Sequence, residues 1–175
     1  MAFLIPARIR FEDLIHMSTA HALTPEPPHL IGPAPRILII SAPYYREVVA
    51  GMLDAAQEIF KKTGAISEVI EVAGAFELPQ ALAIAAVDRL AFEGFVVLGC
   101  VIRGETDHYE FVCTAAMDGL MKVAIEQRLA LGTGLLTVDT LGQAHARSHE
   151  TGSNKGAEAA VACLKQIAHK RRFSI

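Results

Sequence analysis

The sequence lacks long apolar runs and close cysteine pairs, and each absence excludes a class of protein. No apolar stretch of about 20 residues occurs, so a membrane-spanning helix is not expected. The first ten residues carry no apolar core with a cleavage site, so we expect a cytoplasmic protein. The cysteines Cys100, Cys113 and Cys163 lie far apart, which argues against a zinc knuckle or a disulfide framework and favours buried thiols in a reducing compartment.

An excess of charge of either sign is also missing. Against 19 acidic residues the chain has 16 Lys and Arg, and its net charge of −3 gives no general attraction to nucleic acid. One basic cluster, Lys165 with residues 169–172, lies near the end of the chain, where cations stabilise a helix C-terminus. We therefore expect neither a nucleic-acid partner nor a membrane partner.

Three sequence patterns that would indicate other functions are absent. The GxGxxG fingerprint does not follow the first apolar run, and GxxxxGK[ST] occurs nowhere, so neither a Rossmann nor a P-loop enzyme is expected. Clustered aspartates do not follow Ile40 or Val72, which argues against a response-regulator-like signalling module. We also find no internal repeat.

The chain divides at about residue 36. Residues 1–35 contain five prolines in their second half and are interpreted as an N-terminal arm, whereas residues 36–175 are interpreted as one domain. There, short apolar runs alternate with longer amphipathic ones, which is typical of a parallel sheet covered by helices on both faces. The predicted strands are 37–40, 67–72, 95–98 and 133–138, and the predicted helices are 46–62, 77–90, 106–129, 140–147 and 154–170.

Ligands of such sheets bind beyond the carboxyl ends of the strands, so the loops there are the places to search. The first loop contains Tyr44 and Tyr45, which could stack on a planar heterocycle or be ordinary turn aromatics. The second loop, residues 73–79, places Glu77 at the start of a helix. Its carboxylate either complements the helix dipole or accepts hydrogen bonds from ligand hydroxyls.

The third and fourth loops carry groups suited to phosphate. Residues 99–110 lead into a long helix, whose first-turn N–H groups form an anion site. His108 lies in that turn, where the helix dipole favours a neutral imidazole that can accept a proton, or it is simply a surface histidine. Arg147 and Lys155 flank the fourth loop and either bind phosphate and carbonyl oxygens or remain solvated charges.

Three segments in this order resemble the lumazine synthase family: residues 74–79 (GAFELP), 101–109 (VIRGETDHY) and 154–160 (NKGAEAA). The resemblance runs from about residue 36 to 170. It implies a flavodoxin-like three-layer α/β sandwich with a four-stranded parallel sheet, and an arm that can add a strand to a neighbouring subunit. It also implies a homopentamer with active sites between subunits, in some members closed into a sixty-subunit icosahedral capsid, with riboflavin synthase as a partner.

The family's reaction is a transferase step of riboflavin biosynthesis. It condenses 5-amino-6-(D-ribitylamino)uracil with 3,4-dihydroxy-2-butanone 4-phosphate to 6,7-dimethyl-8-ribityllumazine, phosphate and water, with no metal or organic cofactor. The alternative is a non-catalytic flavin-binding or shell-forming paralogue. The joint presence of His108, Arg147 and Lys155 argues against that alternative.

The resemblance also implies roles for individual residues. His108 matches the proton-transfer residue, and Tyr44 matches the aromatic that stacks on the pyrimidinedione. Further substrate contacts are implied for Ala75, Phe76, Glu77, Val101, Ile102 and Lys155. Phosphate contacts are implied for Gly104, Glu105, Thr106 and Arg147.

The chain departs from the family pattern at three places. Many members have Arg-Phe-Asn where this chain has Pro43, Tyr44 and Tyr45, and a proline where it has Ala73. Thr133 occupies a position where many members have an aromatic that closes the neighbouring subunit's pocket. We therefore expect weaker stacking across the subunit boundary at Thr133.

Overall fold

A computed structural model describes residues 25–88, 91–149 and 153–173. Nine strands and helices lie within this part, in the predicted order. They are β1 (Arg36–Ala42), α1 (Arg46–Thr63), β2 (Ile66–Glu71), α2 (Glu77–Ala85), β3 (Gly94–Ile102), α3 (His108–Glu126), β4 (Ala130–Val138), α4 (Leu141–Ser148) and α5 (Lys155–Phe173). Residues 25–35 reach β1 without helix or strand, and the first 24 residues of the predicted arm lie outside the described residues.

The four strands form one parallel sheet in the order β2-β1-β3-β4. Flavodoxin-like doubly wound sheets begin with this order, so the predicted fold class is confirmed. Ser41 lies opposite both Glu71 of β2 and Leu98 of β3, which brings the carboxyl ends of three strands to one side of the sheet. Strands β2 and β4 are its two edges.

Alternate side chains of the sheet divide the core into two apolar layers, because neighbouring residues of a strand point to opposite faces. Ile37 and Ile39 pack in the layer that contains α1, α4 and α5. Leu38 and Ile40 pack in the layer that contains α2 and α3. The prediction of helices on both faces is confirmed.

The element ends follow local signals that the apolar pattern only partly contains. Helix α1 ends at Thr63, one residue beyond the predicted bound, and the next residue, Gly64, has the left-handed φ of 73° that favours glycine. The predicted extension of the second helix to residue 90 is wrong, because α2 ends at Ala85. The carboxylate of Asp88 accepts a hydrogen bond from the Ala91 N–H at 3.2 Å, which stabilises a turn instead of a further helical turn.

Strands β3 and β4 are longer than predicted. The predicted strand 95–98 extends to residues 94–102, and the predicted strand 133–138 begins at residue 130. Gly99 and Gly132 lie inside these strands, where neighbouring groups fill the space that a Cβ atom would occupy. The glycines are therefore sites of close packing and not strand ends.

Two other predictions concern cysteines and the basic cluster. The three thiols are free, with Cys100 and Cys163 buried as predicted and Cys113 only partly buried. The last turn of α5 carries basic residues as predicted, and Arg171 binds Glu93 through two hydrogen bonds of 2.7 Å. Among the described residues, no helix is both long and apolar enough to cross a membrane.

Candidate active site

A cavity of about 380 Å³ lies at the carboxyl ends of β1, β2 and β3, and we call it the His108 cavity. Seven of the predicted site residues line it together: Tyr44, Ala75, Phe76, Glu77, Val101, Ile102 and His108. These residues come from three segments that are separate in sequence, each of which joins the end of a strand to the start of a helix. The parallel topology thus brings together the first three loops that the sequence indicated.

The first loop presents an aromatic face to this cavity. The chain turns directly after β1, where the Tyr44 N–H donates to the Ala42 carbonyl at 2.9 Å. Tyr44 is 76% exposed, and its ring makes an edge contact with the Tyr45 ring, with 5.2 Å between ring centroids. Burial of the Tyr45 hydroxyl, with Cys100 nearby, raises the Tyr45 pKa. The Tyr44 ring is therefore accessible to a planar ligand, whereas the Tyr45 ring packs against Tyr44.

The second and third loops place a carboxylate and an imidazole at the starts of two helices. Glu77 is the first residue of α2, and its carboxylate lies close to Gly74 of the same loop. His108 is the first residue of α3, and its ring centroid lies 6.1 Å from that of Phe76. No side chain of the described residues caps α3, and the Glu110 N–H of its first turn donates to the Asp107 carbonyl at 3.0 Å.

The two predicted cations line a different cavity. This space of about 210 Å³ runs along the outer edge of β4 and contains Thr133, Arg147 and Lys155, and we call it the Arg147 cavity. Arg147 donates to the Gln143 carbonyl at 3.0 Å. The structure therefore brings together Thr133 and the two cations, but it does not bring them to His108 of the same subunit.

Lys155 is paired within the Arg147 cavity. Its ammonium donates to both carboxylate oxygens of Glu158, at 2.8 and 2.7 Å, and the two side chains are only 18% and 25% exposed. Sequence analysis missed Glu158, although the spacing of three residues on a helix is a signal for such a pair. The Glu158 carboxylate orients the Lys155 ammonium and neutralises its charge. Glu158 makes no such pair with Arg147, which donates to the Gln143 carbonyl instead.

The predicted phosphate loop, Gly104 to Thr106, is exposed between β3 and α3 and lines neither cavity. The residue that precedes this loop, Arg103, is held in place by contacts with three side chains. Arg103 donates to Glu110 at 2.7 Å and to Asp139 at 2.9 Å, and its guanidinium lies 4.2 Å from the Tyr109 ring centroid. The hydrogen bonds to Glu110 and Asp139 raise the Arg103 pKa, so the side chain remains charged.

Four lining residues escaped the sequence analysis as site residues, namely Ala73, Gly74, Cys100 and Val112, whereas Tyr45 was named there only as an aromatic of the first loop that could stack on a ligand. Burial raises the pKa of the Cys100 thiol to about 11, so it presents a neutral group to the His108 cavity. An apolar strand gives no sign of which of its residues will face a ligand. In the described ranges, no group of three or more His, Cys, Asp and Glu side chains could hold a metal ion.

This arrangement defines a class of protein, a doubly wound α/β enzyme subunit that binds small molecules beyond the carboxyl ends of its sheet and carries a cationic cavity at one sheet edge. The family model for 6,7-dimethyl-8-ribityllumazine synthase matches residues 34–171. The chain belongs to this family.

Relatives from three bacteria carry the name 6,7-dimethyl-8-ribityllumazine synthase. The Bartonella bacilliformis protein is 44% identical over 140 residues, which are 79% of this chain and 92% of that protein. The Paramagnetospirillum magneticum protein is 41% identical over 146 residues, which cover 80% and 97% of the two chains. The Methylobacterium radiotolerans protein is 40% identical over 156 residues, covering 89% and 93%.

Proposed function

We propose that this protein condenses 5-amino-6-(D-ribitylamino)uracil with 3,4-dihydroxy-2-butanone 4-phosphate to give 6,7-dimethyl-8-ribityllumazine, phosphate and water. Family membership supports the reaction, which makes the protein a transferase of riboflavin biosynthesis. The His108 cavity supports it chemically, because an exposed tyrosine face suits the planar pyrimidinedione and a carboxylate suits the ribityl hydroxyls.

We propose further that each active site consists of the His108 cavity of one subunit and the Arg147 cavity of its neighbour. The observation that carries this proposal is the separation of the predicted site residues into two cavities of one chain. Because the two cavities are different surfaces, the contact between subunits is heterologous, and heterologous contacts form a ring when the rotation between copies closes. A homopentamer is such a ring.

The surface of the subunit supports an oligomer. On α3, Phe111 and Ile125 are 68% and 69% exposed, and Ile84 of α2 and Val87 just after this helix are exposed as well. Where such apolar groups form one contiguous patch, the patch marks an interaction surface. On the edge strand β2, Ile70 is exposed as well, and a strand from a neighbouring subunit's arm would cover such an edge.

We assign the ring and ribityl groups to the His108 cavity, with Tyr44 stacking on the pyrimidinedione and Glu77 accepting hydrogen bonds from the ribityl hydroxyls. Ala75, Phe76, Val101 and Ile102 complete that pocket. The phosphate is assigned to Arg147, to Lys155 and to the exposed loop of Gly104, Glu105 and Thr106. Thr133 faces the pocket from the neighbouring subunit.

The chemistry then needs proton transfers and charge stabilisation. The substrate's amine attacks the ketone, and loss of water gives an imine. The carbon–oxygen bond to phosphate then breaks, and the second nitrogen closes the ring with loss of another water. His108 relays protons at these stages, while Arg147 stabilises the departing phosphate. Because the amine is already a nucleophile, positioning of both substrates supplies most of the acceleration.

The reaction is tested by mixing the full-length protein with both substrates and following lumazine absorbance together with phosphate release. A protein-free control corrects for the uncatalysed condensation. We expect stoichiometric formation of both products above that control. If the heterocycle binds but no rate exceeds the control, the protein is a flavin-binding or shell-forming paralogue instead.

Assembly and location are also proposals. Light scattering of the purified protein distinguishes the pentamer that we propose from an icosahedral shell of sixty subunits. The division into an arm of residues 1–35 and a domain of residues 36–175, and association with riboflavin synthase, remain predictions. A cytoplasmic location is supported by the three free thiols, since a reducing compartment keeps cysteines unpaired.

A further inference from the structure

Asn154 lies where three helices meet beside the Arg147 cavity, and the residue is only 8% exposed. Its amide nitrogen donates to the carbonyl of Gly51 in α1, at 3.1 Å, and to the carbonyl of Ser148 at the end of α4. Its amide oxygen accepts from the N–H groups of Gly156 and Ala157 in α5, at 2.8 and 3.4 Å. All four hydrogen-bonding positions of the amide are therefore used.

The backbones approach closely at this point. A Cβ atom added to Gly51 would lie 2.7 Å from the Ser148 carbonyl oxygen, and one added to Gly156 would overlap the Met52 carbonyl. Helix α1 thus supports the end of α4 and the start of α5 with no side chain between the backbones. Asn154 is the polar link that joins all three.

The hydrogen bonds of Asn154 join backbone groups that are sequence neighbours of the two cations in the Arg147 cavity. Ser148, which accepts from Asn154, directly follows Arg147, and Lys155 directly follows Asn154. One buried amide therefore connects the backbones that carry the two cations of the Arg147 cavity.

We propose that Asn154 is a positioning residue that sets the spacing of Arg147 and Lys155, and thereby the affinity for the substrate's phosphate. The inference rests on the proposed function in assigning phosphate to these cations. Asn154 itself does not line the cavity, so it acts through the two backbones that it joins.

The substitution Asn154→Asp separates the two halves of the amide's role. A carboxylate oxygen still accepts from Gly156 and Ala157, so α5 keeps a good N-cap. The second oxygen replaces the donor and faces the carbonyls of Gly51 and Ser148, which it repels. The start of α5 is retained, whereas the end of α4 is released.

In the full-length enzyme we expect Asn154→Asp to raise the KM for the ketose phosphate by about tenfold, the order expected when a charge-assisted hydrogen bond is misplaced. The KM for the pyrimidinedione should change less than twofold. Asn154→Ser, whose shorter hydroxyl caps α5 but cannot bridge two carbonyls, should lie between Asn154→Asp and the unsubstituted protein. It carries the test if Asn154→Asp does not fold.

Ile167→Val is the matched control, because it weakens the buried core near the other end of the same helix and leaves the hydrogen bonds of Asn154 intact. A merely structural Asn154 would behave like this control, with a lower melting temperature and no selective change in either KM. Equal changes in both KM values, or none, would overturn the positioning role.

Binding of inorganic phosphate, measured by calorimetry, separates this inference from the proposed function. Asn154→Asp should weaken phosphate binding about tenfold even if the unsubstituted protein shows no condensation activity. Inactivity of the unsubstituted protein would then contradict the proposed function alone. Unchanged phosphate affinity in Asn154→Asp would contradict the positioning role alone.

Discussion

His108 and Arg147 line two different cavities of one subunit, the first at the carboxyl ends of β1 to β3 and the second along the outer edge of β4. In the proposed reaction, a proton-transfer group and a phosphate-binding cation must meet the same small substrate. A neighbouring copy can present its Arg147 cavity to the His108 cavity of the first. We therefore propose that each subunit contributes halves to two different active sites.

Replacing the base should slow the enzyme without stopping it. We expect His108→Ala to lower kcat by roughly 10²-fold, because assisted proton transfer is lost while substrate positioning and phosphate stabilisation remain. Initial rates of lumazine formation measure the effect. His169→Ala, which removes an exposed histidine from α5 that lines neither cavity, should leave kcat unchanged. Complete loss of turnover in a folded His108→Ala protein would contradict this account.

Arg103 should influence phosphate binding through the loop that follows it. Arg103→Met removes the bonds to Glu110 and Asp139, so residues 104–106 should exchange amide hydrogens faster and the KM for the ketose phosphate should rise about two- to tenfold. Arg103→Lys should not restore it, because an ammonium lacks the planar fork that binds both carboxylates.

The control for Arg103 is Arg36→Met at the opposite end of the sheet. Arg36 has the same two kinds of contact, an ion pair with Glu68 and a ring contact with Phe92 at 5.3 Å. Loss of this pair should alter neither KM nor exchange in the loop. Equal effects of the two substitutions would indicate general destabilisation.

Two glycine substitutions should change stability in opposite directions. A Cβ atom at Gly132 would overlap the Ala159 carbonyl of α5, and neither backbone can yield, so Gly132→Ala should lower the free energy of unfolding by about 3 kcal/mol or more. At Gly142 in α4 the nearest atom would lie 3.8 Å away, so Gly142→Ala should raise it by about 0.5–1 kcal/mol. Denaturant unfolding measures both, and a stable Gly132→Ala protein would disprove the close packing of α5 on β4.

Thiol labelling should follow the pKa of about 11 that burial gives Cys100. At pH 8 roughly one thiol in a thousand is then ionised, and alkylation should accelerate about tenfold per pH unit up to about pH 11. Timed iodoacetamide labelling with mass spectrometry of the Cys100 peptide measures this. In guanidinium the rate should level off near the ordinary pKa of 9.0, and a folded protein that levels off there contradicts the burial.

The same shift has a consequence for stability. Because the folded-state pKa of Cys100 lies above its unfolded value, the folded protein holds the thiol proton more tightly. This contribution to the free energy of unfolding is complete below about pH 9 and is lost as the pH rises through about 11.

The sequence pattern predicted the order of all nine elements because buried strands and amphipathic helices have different periods. It was wrong where a single contact decided the outcome. The predicted second helix ran to residue 90, whereas the Asp88 carboxylate accepts from the Ala91 N–H and stabilises a turn after α2. It shortened β4 because glycine is rare in strands, whereas the packing of α5 favours Gly132 there.

The sequence indicated a set of candidate site residues, but not how the structure divides them between two cavities. Family resemblance and loop position indicated His108, Arg147 and Lys155. The sequence alone does not indicate that the two cations line a cavity beside the edge strand β4, whereas His108 lines a separate cavity. The link between Arg147 and Lys155 through Asn154 likewise depends on α1, about a hundred residues earlier in the chain.

Mixing two impaired variants tests the shared active site most directly. His108→Ala keeps a sound Arg147 cavity and Arg147→Ala keeps a sound His108 cavity, so co-assembly after denaturation and refolding restores complete sites between unlike neighbours. With equal amounts, random assembly makes about one quarter of the sites complete, so activity should rise to about one quarter of that of the unsubstituted protein. If mixing gives only the average of the two separate variants, each site lies within one subunit and the account is wrong.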